Sequence, residues 1–428
     1  MTDLGLGYIE LLQQEVKKNP DRLLDVGREE QQEELPPRSR TLPSLCSIPQ
    51  RLAISAGLGG TPVTPNLTES LRRILFGRTF HVFNYEWRKS CFQFREPDSQ
   101  LSYALRADRG GARAVQMVIQ ARIIKHLLSD SWTLHSLTDV SHREQERALA
   151  ASLSDSLWLA GQEESATVTL VTEDYCITPH LDYKLDTFTE RLQLFTFDTK
   201  DAVREFILDH IQCFKEEGGH GVILFLYSLI CSRSVERLKE DLDSTTAHLL
   251  HLSLGNFVCR QALLNLLLTG RASPQVFNGK LCFGEDGLPL ECPLQGVLTR
   301  SDVGYLHWSR EQVDRGKLPQ VESHMLKTPC VPVWVCCINS SHSVLFSLTR
   351  SLLSDWRTEH QFQLYYYNGQ SSQSATARLT IDTHSHHWEA LSTDPGGDPE
   401  KRFPSLEMAI RTKWDGAAID WNGTSPFY

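Results

Sequence analysis

Residue types that could do chemistry gather at three places. The first is Ala107-Asp108-Arg109-Gly110-Gly111-Ala112-Arg113, which runs directly into the apolar stretch Ala114-Val115-Gln116-Met117-Val118-Ile119-Gln120-Ala121. Two glycines make a tight loop, and a helix starting behind them turns its partial positive charge toward the side chain at its mouth. A cysteine in that position would be held as a thiolate and made nucleophilic. The residue here is Arg113. Taken alone, a Gly-Gly turn before a buried helix is common and need do no chemistry. The second place is Ser340-Ser341-His342-Ser343-Val344-Leu345-Phe346, with a histidine at the mouth of a strand. It could serve as a general base, but spacing alone favours a loop histidine with no chemical role. The third is His384-Ser385-His386-His387, where His384 and His386 would share a strand face and could ligate a metal. No cysteine, aspartate or glutamate at metal-site spacing accompanies them, so a solvated loop is expected. No cofactor site is expected, since neither a Walker-type loop nor a Gly-x-Gly-x-x-Gly motif occurs.

The elements that must position these residues follow from periodicity. Residues 1–65 read as a flexible leader, with a short amphipathic piece at Tyr8 to Val16 and a charged, proline-broken run to Arg40. Order is expected to begin near Asn66, as a helix capped by that residue, and a single domain is expected over 66–428. Phe80 to Trp87 and Cys91 to Phe94 look like aromatic strands. Ser141 to Leu159, Val222 to Ile230 and Phe257 to Leu268 read as helices or buried elements, the last ending at Gly270. Asp198 is the expected cap of a further helix. Residues 271–320 read as loop-rich. Strands are expected at 331–337, 343–348, 362–367 and 378–382, with Asn368-Gly369 as a hairpin turn. Helices first and strands later give an α+β fold.

The chain has 428 residues and a net charge of -10, from 53 acidic against 43 basic side chains. That balance argues against a nucleic-acid partner. No signal peptide is evident, and the longest apolar run is far short of the ~20 residues that span a bilayer, so no membrane partner is expected. The 11 cysteines include no C-x-x-C pair. Mostly buried, reduced thiols in an intracellular, cytoplasmic protein are the expectation, and Cys336-Cys337 reads as two inert core residues.

Several longer pieces resemble the MINDY family of deubiquitinases, cysteine peptidases that trim lysine-linked polyubiquitin. They are Leu75-Phe76-Gly77 with Phe83-Asn84 and Glu86-Trp87; the Gly110-Gly111 helix; Leu264 to Ala272; Val276-Phe277-Asn278; Arg300 to Gly304; Thr328-Pro329 with Trp334-Val335; Leu364 to Tyr367; and Arg411 to Trp414 with Trp421-Asn422-Gly423. The resemblance implies a papain-like α+β fold and a ubiquitin or polyubiquitin partner. It further implies a Gly-Gly-Pro-Cys loop, a glutamine six residues before the cysteine as oxyanion donor, and a histidine base ahead of the Ser-Val-Leu-Phe strand. Placed without gaps, these fall on Arg113, Ala107 and Ser341, with His342 one position beyond the base. None of the three carries the required group, so an inactive deubiquitinase is expected. Two alternatives stand beside it. One is a relocated nucleophile at Cys91 served by His342, which a bulge at Ser340-Ser341 would turn inward. The other is an interaction scaffold that does not bind ubiquitin.

Overall fold

The computed structural model describes residues 48–107, 110–129, 131–177, 183–284, 287–314, 324–384 and 404–426. Its centre is helix α2, and everything near the Gly-Gly loop is arranged around it. Helix α1 (Pro65–Phe76) starts at Thr64, whose side chain accepts from Leu67 N–H, so the cap is Thr64 rather than Asn66. Pro65 then occupies the first turn, where its missing N–H costs nothing. Packing begins upstream of that helix, since Ile48, Leu52, Ile54 and Val63 are buried in the core. The expected leader before Ile48 lies outside the described residues.

Helix α2 (Arg113–Leu127) is buried along almost its whole length. It packs against helices α3 (His142–Ala160) and α5 (Gln261–Thr269), and against one face of a six-stranded sheet. Helix α3 opens with a reciprocal Ser141/Glu144 capping box. Helix α4 (Gly221–Arg233), apolar all round and buried, lies on the sheet β1 (Thr61–Pro62), β3 (Leu192–Phe197), β2 (Ala166–Val171). Two hairpins stand apart: β4 (Leu250–Ser253) with β5 (Asn256–Cys259), and β6 (Lys280–Phe283) with β7 (Pro289–Gln295).

The six-stranded sheet has the order β13 (Ala418–Asp420), β12 (Ala377–Asp382), β11 (Gln361–Tyr367), β10 (Ser341–Phe346), β9 (Val333–Ile338), β8 (Gly304–Trp308). All its pairs are antiparallel except β8 with β9. Its two faces feed two cores. Val335, Cys337, Val344, Phe346 and Tyr367 face the main core, whereas Cys336, Leu345, Tyr366 and Leu379 belong to a second cluster with Trp414 and helix α6 (Ser405–Arg411). The fold is α+β, with helices ahead of a mostly antiparallel sheet.

Several local expectations are overturned. Phe80 to Trp87 is not a strand. Asn84 caps a short helix, Tyr85–Lys89, that drives Trp87 into the core. Phe257 sits in β5, and the apolar helix starts only at Gln261. Thr199, not Asp198, caps the helix Lys200–Asp209. The loop-rich reading of 271–320 missed β8, whose short run acquires its identity only by pairing with β9. Asn368-Gly369 is not a two-residue turn either, because β12 starts only at Ala377. The tight turn of this sheet is Asn339-Ser340, with φ of 48° and 64°. Both residues lie in the left-handed region that two-residue hairpins require.

Candidate active site

The segment before the Gly-Gly loop is held on two sides. From α2, Gln120 Oε1 accepts from Leu105 N–H and its amide donates to Tyr103 O at 3.1 Å. Gln116 donates to Cys91 O at 2.8 Å and reaches Arg106 O at 3.4 Å. From the sheet, the Tyr367 hydroxyl donates to Leu105 O at 2.6 Å, and Gly369 O accepts from Ala107 N–H at 3.2 Å. Gly369 has φ of 74°, and a Cβ built on it would lie 3.0 Å from Ala107 Cβ. Asn368-Gly369 therefore brings the β11–β12 loop against Ala107 instead of turning a hairpin. Ala107 is 4% exposed.

Gly111 has a different constraint. A Cβ there would fall 1.8 Å from Phe257 O, so only glycine lets the loop approach β5. That same carbonyl accepts from Trp87 Nε1 at 2.8 Å. Cys259 Sγ donates to Gly111 O at 3.3 Å. This thiol beside the loop was not anticipated, and burial pushes its pKa up to about 12. It is protonated at neutral pH and a poor nucleophile.

Helix α2 then begins. Ala112 supplies no side-chain cap, and no acidic residue lies in the first turn. Arg113, 5% exposed, sends Nε to His342 O at 2.8 Å. The reason lies in the sheet. Pairing of β10 with β11 stops at Val344↔Tyr367, so β11 does not extend to the edge of β10 at His342. A guanidinium N–H fills the place of a strand donor there.

The β9–β10 ladder runs without interruption through Ser341↔Ile338, His342↔Cys337 and Ser343↔Cys336. No bulge rotates His342. Alternation along β10 puts His342 on the face of Cys337 and Val344, and puts Ser341 and Ser343 on the opposite face. Burial, with Arg113 and His307 adding their charges, lowers the His342 pKa to about 4. The imidazole is neutral at physiological pH.

A cleft of about 480 Å³ opens at this point. Its lining includes Gly110, Arg113, Ser341, Ser343, Tyr366 and Asn368. The structure thus brings Arg113 and Ser341 together, sets Ala107 behind the loop, and turns the His342 side chain out of the lining. Cys91 is 7% exposed and is not part of the lining either. Of the histidine-rich segment, His384 stacks on His360 at 5.1 Å, while His386 and His387 lie outside the described residues. Among the described residues no group of three or more His, Cys, Asp or Glu is placed to hold a metal ion, and no helix is long and apolar enough to cross a membrane. The clamping glutamines had a signal in the sequence: Gln116 and Gln120 lie four apart within the apolar stretch from Ala114 to Ala121, hence on one face.

Comparison with known proteins identifies the family. The family described as "Deubiquitinating enzyme MINDY-3/4, conserved domain" matches residues 72–423. The mouse protein named "Probable ubiquitin carboxyl-terminal hydrolase MINDY-4" is 37% identical over 374 residues, covering 85% of this chain and 47% of that protein. Its human counterpart is 36% identical, over 85% of this chain and 46% of its own length. The zebrafish "Ubiquitin carboxyl-terminal hydrolase MINDY-3" is 28% identical over 59% of this chain and 58% of that protein. The chain thus spans about half the length of the MINDY-4 relatives. No solved structure matches it. The chain belongs to the MINDY family of deubiquitinases.

Proposed function

We propose that this chain is a pseudoenzyme: a papain-like scaffold that binds ubiquitin or polyubiquitin and does not hydrolyse it. The observation that carries this is Arg113 at the mouth of α2, bonded to the β10 edge beside Ser341. A guanidinium stays protonated at any physiological pH and cannot attack a carbonyl. Ala107 offers no side-chain donor to an oxyanion, a loss that typically costs about a hundredfold or more in rate. The serine hydroxyl of Ser341 does not titrate near neutrality and cannot serve as base.

Substitutes within the scaffold are committed elsewhere. The Gln116 amide is engaged by Cys91 O and Arg106 O. Burial raises the thiols of Cys259 and Cys337, the latter to about 11. Cys91 is buried away from the cleft lining, and His342 turns from it. A relocated nucleophile finds no support in these positions.

The experiment is incubation of the purified chain with lysine-linked polyubiquitin and with a ubiquitin-based thiol probe, beside an NMR titration of isotope-labelled ubiquitin. We expect no cleavage, no adduct, and chemical-shift changes on ubiquitin. Cleavage or adduct formation would refute the loss of chemistry. Unchanged ubiquitin spectra would leave an interaction scaffold for another partner.

A further inference from the structure

We propose that the base of the β4–β5 hairpin is a binding site for a phosphate-type dianion, held by Arg260 between His248 and His251. The site is separate from the Arg113 cleft lining and independent of ubiquitin binding.

The strand register builds it. Leu250 pairs with Cys259 and His251 with Val258, and Arg260 N–H donates to Leu249 O just beyond the ladder. Side chains two apart along a strand share a face, so His251 and Arg260 are diagonal neighbours on one face of the hairpin. Leu250 and Phe257, on the other face, are buried, and Cys259 beside them donates to Gly111 O. His248 joins the group from the segment before β4, where its Nε2 accepts from Arg260 Nη2 at 3.2 Å. The Leu249 N–H bond to Ile74 O, at 2.8 Å, ties that segment to α1. A Cβ on Gly77 would lie 3.2 Å from His248 Nδ1, so the turn after α1 backs the ring.

Two features of this group call for an anion. It is basic and uncompensated. Among the described residues Arg260 forms no ion pair, and its side-chain hydrogen bond goes to a second base. On the adjoining α1, the carboxylate of Glu69 is taken by Arg73 at 3.7 Å. The turn beyond brings two more bases, Arg78 and His81. Burial and the Arg260 charge lower the proton affinity of both imidazoles, His251 adds to the shift at His248, and no described carboxylate acts in the opposite sense. The second feature is a pair of orphaned donors or acceptors: Arg260 Nε and His251 Nδ1 are buried and make no hydrogen bond to a described protein group. Bound water or a bound ion is the usual explanation for such atoms. Water would satisfy the nitrogens and leave the half-buried guanidinium without a counter-charge, whereas an anion answers both needs.

The number of bases favours a dianion. One guanidinium balances one negative charge. A second charge beside the imidazoles raises their proton affinity, so one ring takes up a proton as the ligand binds. A phosphate monoester offers three acceptor oxygens to the three bases, where a carboxylate offers two in one plane. No bond is made or broken. The same chemistry belongs to free phosphate and to a phosphorylated side chain.

The test is an NMR titration of the full chain with labelled histidine, watching the imidazole resonances. The probes are inorganic phosphate, O-phosphoserine, acetate and, at matched ionic strength, chloride. His248→Asn and His251→Asn assign the signals. We expect saturable shifts of both rings with the two phosphates and a raised pKa for at least one of them. Arg260→Gln should weaken phosphate binding roughly tenfold or more, as loss of a charge-assisted contact implies. Tighter binding of O-phosphoserine than of inorganic phosphate would support a phosphorylated side chain as the source, and the reverse the free ion. Shifts no larger than those with chloride, acetate binding as tight as phosphate, or undiminished binding by Arg260→Gln would each overturn the proposal. The anion comparison uses the unaltered protein, so it stands even where a variant fails to fold.

Discussion

Two buried arginines in this molecule meet opposite surroundings. Arg72, fully buried on α1, sets Nη2 at 3.1 Å from Glu190 and 3.2 Å from Asp186. Its Nη1 donates to Thr79 O and Lys184 O, and its guanidinium lies 4.0 Å from the centroid of the Tyr183 ring. Burial and the neighbouring Asp186 raise the proton affinity of Glu190, as two acids around one base should. Arg113 instead lines an open cleft that includes Ile338, Ser341, Ser343, Asn368 and Leu406, and it donates to the carbonyl of His342. The first arginine closes an internal account of charge and ties α1 to the 183–190 segment. The second joins the mouth of α2 to the β10 edge at His342. Burial alone does not tell the two arginines apart, and the groups around each of them do.

That contrast can be broken experimentally. Arg72→Met leaves Asp186 and Glu190 buried without their cation, and should destabilise the fold by about 3–5 kcal/mol. Chemical denaturation would measure it, and a loss below ~1 kcal/mol would show that the cluster is not a strut. Gln116→Leu strips the donor from Cys91 O and Arg106 O, for an expected loss of about 1–3 kcal/mol in the same assay. A smaller effect comes from His342. Its folded pKa of about 4 lies below its ordinary value of 6.5, so the folded state binds the proton less readily than the unfolded state. The resulting stability is present above pH ~6.5 and declines as pH falls toward 4. His220, also lowered to about 4 by burial, contributes in the same window. Denaturation midpoints between pH 7 and 4 should therefore fall less steeply in His342→Asn. An unchanged slope would place the titration elsewhere.

The last two expectations approach zero. Arg113→Gln should shift stability by no more than about 1 kcal/mol, since it also removes a cation from a positive helix end. A loss near that of Arg72→Met would make the two arginines equivalent and would contradict the contrast. Arg113→Cys alone should yield no detectable hydrolysis of polyubiquitin, because Ala107 and Ser341 still lack the donor and the base. Clear turnover by that single variant would show the other two roles to be misplaced.

Much of the scaffold was legible because its signals are local. The Ser141–Glu144 box, the Gly270 stop and the apolar run behind Gly110-Gly111 each act within one or two turns of chain. What misled was chemistry shared between outcomes. Aromatic residues from Phe80 to Trp87 suit a strand, but Asn84 caps a helix there. Asn368-Gly369 has hairpin chemistry and serves instead to press a loop on Ala107. The short β8 carries no distinctive period and becomes a strand through its parallel partner.

Sequence by itself determined that no thiol, amide or imidazole occupies positions 113, 107 and 341, because side-chain identity is covalent and needs no fold. It equally determined that a helix starts behind two glycines. Only tertiary structure decided that the His342 side chain turns from the cleft, that Cys259 rather than Cys91 lies at the Gly-Gly loop, and that Arg113 takes the carbonyl of a residue 229 positions away. Those outcomes depend on where β11 stops pairing with β10 and how closely β5 approaches Gly111. Both are set by packing between distant segments, which no local period encodes.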